Sequence, residues 1–184
     1  MRPFVFNTVR QVVCAPGAAL NLGQQCAALG ASHLLVVTDP GLMAIGLVQP
    51  AVEALAAAGF EVTVFDQVRE DPPEETVLTA AAMSRKAGVD GVIAIGGGSS
   101  MDVAKVVSAL LAGDQALADM YGVDQVAGGR LPLILVPTTA GTGSEVTPVA
   151  VITTGATTKA GVSSAVLLPD AAVLDPDLTL GLPP

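Results

Sequence analysis

Asp90-Gly91-Val92-Ile93-Ala94-Ile95-Gly96-Gly97-Gly98-Ser99-Ser100-Met101-Asp102-Val103-Ala104-Lys105 is the stretch on which the fold of this chain turns. It opens with a short apolar, β-branched run, the pattern of a buried strand. Three glycines stop that strand, and an alanine- and valine-rich segment with helical spacing follows. Without Cβ atoms, Gly96, Gly97 and Gly98 are free to take positive φ and to let a ligand approach the main chain. Ser99 and Asp102 fit the Ser-x-x-Asp capping pattern and place the helix start here. A strand, a bare turn and a helix N-terminus together make an anion site, because exposed N–H groups and the positive end of the helix dipole meet there. The run departs from Gly-x-Gly-x-x-Gly, since Met101 takes the third glycine's place, and no Gly-Lys-Ser/Thr follows as in a P-loop. Alone it admits two readings: a pyrophosphate cradle, or a tight turn without a ligand.

Composition narrows the class. A chain of 184 residues, 51% of them hydrophobic, can bury a proper core as one large or two small domains. Its mean hydropathy is +0.63, yet no apolar stretch approaches the about 20 residues of a membrane helix. The excess belongs to buried strands and alanine-rich helices, or to a surface that a partner covers. A net charge of −9 argues against nucleic acid and anionic membrane surfaces as partners. Met1 to Val13 lacks an apolar h-region, so no secretory signal is read there. Cys14 and Cys26 have no ligand or redox spacing; they read as small buried hydrophobes in a reducing, cytoplasmic setting.

Outward from the glycines, strand and helix patterns alternate. Phe4 to Val13 reads as a strand or hairpin at the edge of the domain, and Ala18 to Leu29 as a helix closed by Gly30. His33, the only histidine, reads as a loop residue before the buried strand Leu34 to Thr38. Asp39 follows that strand and has two readings. It accepts hydrogen bonds from ribose hydroxyls and repels a 2′-phosphate, favouring NAD over NADP, or it merely starts a turn or caps the next helix before Pro40. Val52 to Ala58 is helical, Glu61 to Asp66 alternates as a strand, and Glu74 to Ala87 is a helix with acids first and Arg85 and Lys86 last. Strand, helix, strand, helix, strand over about 75 residues predicts a parallel sheet with helices on both faces.

Downstream, the glycine-run helix continues to Leu111, with Met101, Ala104, Val107 and Leu111 on its buried side and Asp102 and Lys105 sharing another. Asp102 either caps the helix or points past the phosphates. Gly113 to Gly129 reads as an irregular connector, and Leu131 to Val136 as another buried strand. Pro137-Thr138-Thr139-Ala140-Gly141-Thr142-Gly143-Ser144-Glu145 is the second unusual stretch. It offers hydroxyls and free N–H groups where open α/β sheets bind ligands, and a ligand role is the better reading. Val146 to Thr154 predicts a strand entering a hairpin turn at Gly155 to Thr158, and Ala165 to Leu168 and Ala171 to Leu174 predict short strands. Lys159 is either a solvated charge or a contact to a cofactor phosphate or ribose.

With both stretches in hand, the chain resembles the N-terminal portion of iron-containing (group III) alcohol dehydrogenases, of the glycerol dehydrogenase and dehydroquinate synthase superfamily. Gly96-Gly97-Gly98-Ser99-x-x-Asp102, the threonine block through Thr147, Lys159 before Ser163-Ser164, and Leu168-Pro169-Asp170 leading to Asp175-Pro176-x-Leu178-Thr179 carry it. The resemblance implies a doubly wound, mostly parallel, Rossmann-like α/β domain over residues 1–184, with an extra β-hairpin. It implies hydride exchange between an alcohol or aldehyde and NAD(P) beside a divalent iron or zinc. Carried over by position, Gly97, Gly98 and Ser99 hold the pyrophosphate, with Gly96 also in the cofactor-binding set, and Asp39 faces the adenosine ribose. Thr138, Thr139, Thr142 and Thr147 line the cleft, and Asp102, Val149, Lys159 and Leu178 complete it.

The family's metal ligands, one aspartate and three histidines, belong to a helical domain for which this sequence has no counterpart. The expectation is therefore a cofactor domain that binds NAD and does not turn over alcohol unaided, with no catalytic or metal-ligating residue of its own. The alternatives are a non-catalytic nucleotide-binding or self-associating module, and a piece of a glycerol dehydrogenase or maleylacetate reductase relative. The edge strand and the apolar composition favour at least a homodimer.

Overall fold

The computed structural model describes residues 7–181. In chain order they form β1 (Gln11–Cys14), a 3-10 turn (Ala18–Asn21), α1 (Leu22–Ala28), β2 (His33–Val37), α2 (Pro40–Ala44), α3 (Gln49–Ala57), β3 (Glu61–Phe65) and α4 (Glu74–Ala87). Then come β4 (Gly91–Gly96), α5 (Gly98–Leu111), β5 (Gly122–Val123), β6 (Leu133–Pro137), β7 (Val149–Thr154), β8 (Thr158–Ser163) and β9 (Ala171–Leu174). Six strands make one sheet in the order β1-β9-β6-β4-β2-β3, every pair parallel. A second sheet, β5-β8-β7, holds the antiparallel hairpin that the sequence predicts after the threonine block.

Both faces of the large sheet are covered, which is why its central strands read as unbroken apolar runs. Alternate residues divide between two cores. Leu35, Val37, Val92, Ala94, Leu133 and Leu135 pack with Val77, Ala80 and Ala81 of α4, Val103 and Val107 of α5, and Ala150, Ile152 and Val162 of the hairpin. Leu34, Val36, Ile93, Ile95, Ile134 and Val136 pack with Leu22 and Cys26 of α1 and Ala51 and Leu55 of α3. Burial of each such Leu, Ile or Val side chain contributes about 1.5–3 kcal/mol. Local signals agree with this packing. α4 begins with Glu74 and Glu75, ends with Arg85 and Lys86, and is closed by Gly88 at φ 77°.

The structure corrects several expectations. Within the predicted strand Phe4 to Val13, Phe4 to Phe6 lie outside the described residues, and only Gln11–Cys14 is extended, pairing with β9 as one parallel edge strand. Cys14 is exposed, because it ends that edge strand; Cys26 alone is a buried hydrophobe, and burial pushes its thiol up to about 12. His33 is no loop residue: it opens β2, is buried, and its Nε2 lies 2.8 Å from Thr63 Oγ1. The connector after α5 contains a short strand, β5, which pairs with β8. Ala165–Leu167 is a 3-10 turn rather than a strand, because the Ser164 hydroxyl accepts from Val166 N and caps it. α5 is buried on nearly every side, between the sheet, α4 and β7. Its buried set therefore includes Lys105 and Ser108 as well as the predicted apolar stripe, while Leu111 is only partly buried.

Candidate functional site

In the large sheet the chain moves outward from β2 to β3, then crosses back to β4 on the other side of β2. Parallel sheets bind ligands beyond the carboxyl ends of their strands, at such a reversal. A cleft of about 540 Å³ opens there, lined by Asp39–Leu42 after β2, Val68–Glu70 after β3, Gly97–Ser100 after β4 and Thr138 and Thr139 after β6. A second cavity, about 310 Å³, shares Thr139 and extends to Glu145, Pro176, Thr179 and the exposed Cys14. A groove of about 640 Å³ between α4 and the end of α5 is larger, but it lies away from the strand ends and has no bare turn.

The glycine turn works through space rather than through φ. None of Gly96, Gly97 and Gly98 has positive φ, contrary to the expectation; Gly97 is extended at φ −77°, ψ −171°. A Cβ on Gly96 would stand 2.6 Å from Ser100 Oγ and 2.7 Å from Ser100 Cβ, so the first turn of α5 closes on the strand end only over glycine. A Cβ on Gly97 would meet Thr139 Oγ1 at 3.6 Å, and one on Gly98 would meet Thr142 Cγ2 at 3.3 Å. The threonine loop thus lies directly against the glycine turn, and Thr138 N donates to Gly96 O at 3.0 Å. Gly97 is the N-cap of α5 and no side chain caps it, which overturns the capping role expected for Ser99 and Asp102. The first amides of this 14-residue helix consequently have no intrahelical partner at the cleft.

The threonine loop does use left-handed backbone: Gly141 has φ 106° and Gly143 φ 65°. Thr138 is buried, Thr142 is exposed, and Thr147 is half-buried just after the Ser144–Val146 turn. Thr139 Oγ1 is buried without a hydrogen-bond partner, and so is Thr38 Oγ1 at the end of β2. Buried hydroxyls are normally paired, so Thr139 Oγ1, which borders both cavities, is the one that an incoming polar ligand would complete, while Thr38 lines neither. Asp39 is the N-cap of α2, its Oδ1 accepting from Leu42 N at 3.0 Å, and it also lines the cleft. The two readings of Asp39 are therefore compatible.

The remaining predicted residues lie around this centre rather than in it. Asp102 Oδ1 accepts from Ser144 Oγ at 2.5 Å and Oδ2 from Val151 N at 2.9 Å; burial raises its pKa against those bonds and the Lys105 charge. Val149 opens β7, and its carbonyl accepts from Lys105 Nζ at 2.7 Å. Lys159, on β8, pairs with Asp71 at 2.6 Å, both side chains more than half exposed. Leu178 lies on the Pro176–Thr179 turn beside the second cavity and packs into the α1/α3 core. Sequence reasoning missed the burial of Lys105: desolvation pulls its ammonium down to about 8 against the pull of Asp102 and Glu145. A single lysine within an Ala/Val-rich helix was the available signal.

The bare helix start, the glycine turn, where Gly96 leaves no room for a Cβ, and the orphaned Thr139 hydroxyl fit a dinucleotide. A metal does not fit: among the described residues no group of three or more His, Cys, Asp or Glu could hold one. Nor is any described helix long and apolar enough to cross a membrane.

Comparison with known proteins agrees with this geometry. Residues 9–176 match the family described as iron-containing alcohol dehydrogenase. The chain is 44% identical over 172 residues to a 4-hydroxybutyrate dehydrogenase of Cupriavidus necator, covering 91% of this chain and 44% of that protein. The structure of a 1,3-propanediol oxidoreductase superposes with TM-score 0.94 at 32% identity, over 99% of this chain and 48% of that one. A sulfoacetaldehyde reductase from Bifidobacterium kashiwanohense, solved in complex with NAD+, superposes with TM-score 0.88 at 31% identity, over 100% and 49%. The chain thus spans just under half the length of these relatives. A parallel sheet with its cleft at the reversal, a glycine turn covered by a threonine loop, and a match along nearly the whole length lead to one conclusion: this chain belongs to the iron-containing alcohol dehydrogenase family.

Proposed function

We propose that this chain is the cofactor-binding part of an NAD-dependent alcohol dehydrogenase, which exchanges hydride between an alcohol or aldehyde and the nicotinamide. The observation that carries the reading is the contact between two loops of different strands, Gly97–Gly98 against Thr139–Thr142, around a helix N-terminus with no cap of its own. In this reading the amides of Gly98 and Ser99 and the Thr139 hydroxyl take the pyrophosphate. Asp39 takes the adenosine ribose, and its charge disfavours a 2′-phosphate, so NAD is preferred to NADP. The nicotinamide half extends along the carboxyl edge toward Thr179 and Cys14. Thr138, Thr142, Thr147, Val149, Lys159 and Leu178 complete the cofactor's surroundings.

A divalent iron or zinc would polarise the substrate oxygen in the whole enzyme. The described residues offer it no ligand set, and in this reading the chain supplies the cofactor's surroundings rather than the Lewis acid. The reading also carries a cytoplasmic setting and at least a dimer, supported by the edge of β1 that pairs with no other described strand; light scattering measures the latter.

The deciding experiment is calorimetric titration of the chain with NADH and NADPH. Saturable binding of NADH, weaker for NADPH, is expected; no heat and no thermal shift at millimolar NADH would remove the reading.

A further inference from the structure

Among the described residues, the hairpin strand β7 has β8 on one side and no strand on the other. Its open edge is nevertheless closed. Val149 O accepts from Lys105 Nζ at 2.7 Å, Val151 N donates to Asp102 Oδ2 at 2.9 Å, and Thr153 N donates to Pro72 O at 2.8 Å. Two of the three partners are side chains one turn apart on α5, the helix that starts at the glycine turn. Between them stands Ser144, which donates to Asp102 Oδ1 and accepts from Lys105 Nζ at 2.9 Å. Ser144 is also buried and directly follows the threonine loop.

We propose that Asp102 and Lys105 are a positioning pair: they replace a neighbouring strand on the open edge of β7 and, through Ser144, hold the threonine loop against the glycine turn. The consequence for the cofactor rests on the dinucleotide reading above; the positioning of the loop does not. Asp102 then acts on the cofactor only through Ser144 and Val151. The geometry needs both members. Lys105 is fully buried, and the carboxylates acting on its ammonium are Asp102 on its own helix and Glu145 on the Ser144–Val146 turn. Strands β4, β6 and β7 contribute only uncharged residues. On α4, Arg85 is committed to the carbonyls of Leu110 and Gly113, and Glu74 to the Tyr121 hydroxyl. Removing either charge strands the other inside the protein, whereas removing both does not.

The test compares Lys105→Met with the double variant Asp102→Asn/Lys105→Met, by hydrogen exchange and by NADH titration of the same samples. In Lys105→Met, exchange over residues 138–153 should rise by about tenfold or more, while β2 and β4 keep wild-type protection, and the Kd for NADH should rise about tenfold. The double variant should recover part of both losses, as a charge pair requires and loss of packing alone does not allow. Wild-type exchange over 138–153 in the single variant, or equal loss in single and double variants, overturns the proposal. Should Lys105→Met fail to fold, Ser144→Ala removes only the bridging hydroxyl. Faster exchange over 138–147 in that variant supports the pair, and unchanged exchange overturns it. Failure of the wild-type chain to bind NADH would end the dinucleotide reading instead, leaving exchange to decide this one.

Discussion

The turn after β4 and the loop after β6 follow adjacent strands of one sheet, and both are rich in glycine, yet they use that residue for different reasons. At Gly96–Gly98 the backbone is ordinary and the space is not: a methyl group at Gly96 would overlap Ser100. At Gly141 and Gly143 the space is open and the backbone is not: φ is 106° and 65°, with nothing within 4 Å of a built Cβ. One turn is bare so that another segment can lie on it, and the other is glycine-rich so that it can bend back to do so. Composition alone cannot separate the two uses, and substitutions can.

The largest effect is expected at Gly96→Ala. The added methyl has to displace the Cβ of a buried serine on a helix locked between sheet and hairpin, which should cost about 2–3 kcal/mol in denaturant unfolding. The buried lysine that fastens the threonine loop gives the next. Its folded-state pKa, about 8, lies below its ordinary value of 10.5, so between those values the unfolded chain binds more protons. Stability from this group is therefore least below pH 8 and rises toward pH 10.5, by up to about 1.4 kcal/mol per pH unit. Unfolding midpoints measured across that window should lose this component of the slope in Lys105→Met.

Gly143→Ala should cost about 1–2 kcal/mol by forcing a side chain into left-handed backbone, and Gly143→Asn less, since asparagine tolerates that region. The two glycine uses predict opposite outcomes here: at Gly96, asparagine should be worse than alanine. On the flank of the cleft, Asp39→Ala removes the cap of α2 and should cost about 1 kcal/mol. It should also narrow the preference for NADH over NADPH in titration. Lys159→Ala is the smallest: an exposed pair with Asp71 contributes less than about 1 kcal/mol. A drop in NADH affinity with unchanged stability would sharpen the case that Lys159 turns to the cofactor when it is bound.

Much of this could be read along the chain. The apolar runs at Leu34–Val37, Val92–Ile95 and Leu133–Val136, the acids and bases at the ends of α4, and Gly88 beyond it are local signals, and the structure follows them. The threonine block of the candidate site was also legible, because such a density of hydroxyls directly after a buried strand is rare in a connecting loop, whereas the glycine run alone admitted two readings. What was not legible depended on partners distant in sequence. Ser99 and Asp102 match a capping pattern, but Asp102 is drawn away by Ser144 and by Val151 on the hairpin. Cys14 and Cys26 look alike in sequence and differ because one ends an edge strand while the other lies in the core beside Leu34, Ile93 and Ile134.

By itself, then, the sequence determined the alternation of strands and helices, the parallel class of the sheet and the two stretches that form the candidate site, since periodicity, capping charges and glycine or proline breaks act over a few residues. Tertiary structure alone decided which strand lies beside which, and that the two loops touch. It also decided that the glycine run provides room rather than a left-handed bend, and that a lysine belongs inside. Most of these are set by contacts between segments distant in sequence, whose strength depends on burial and distance that no local pattern encodes.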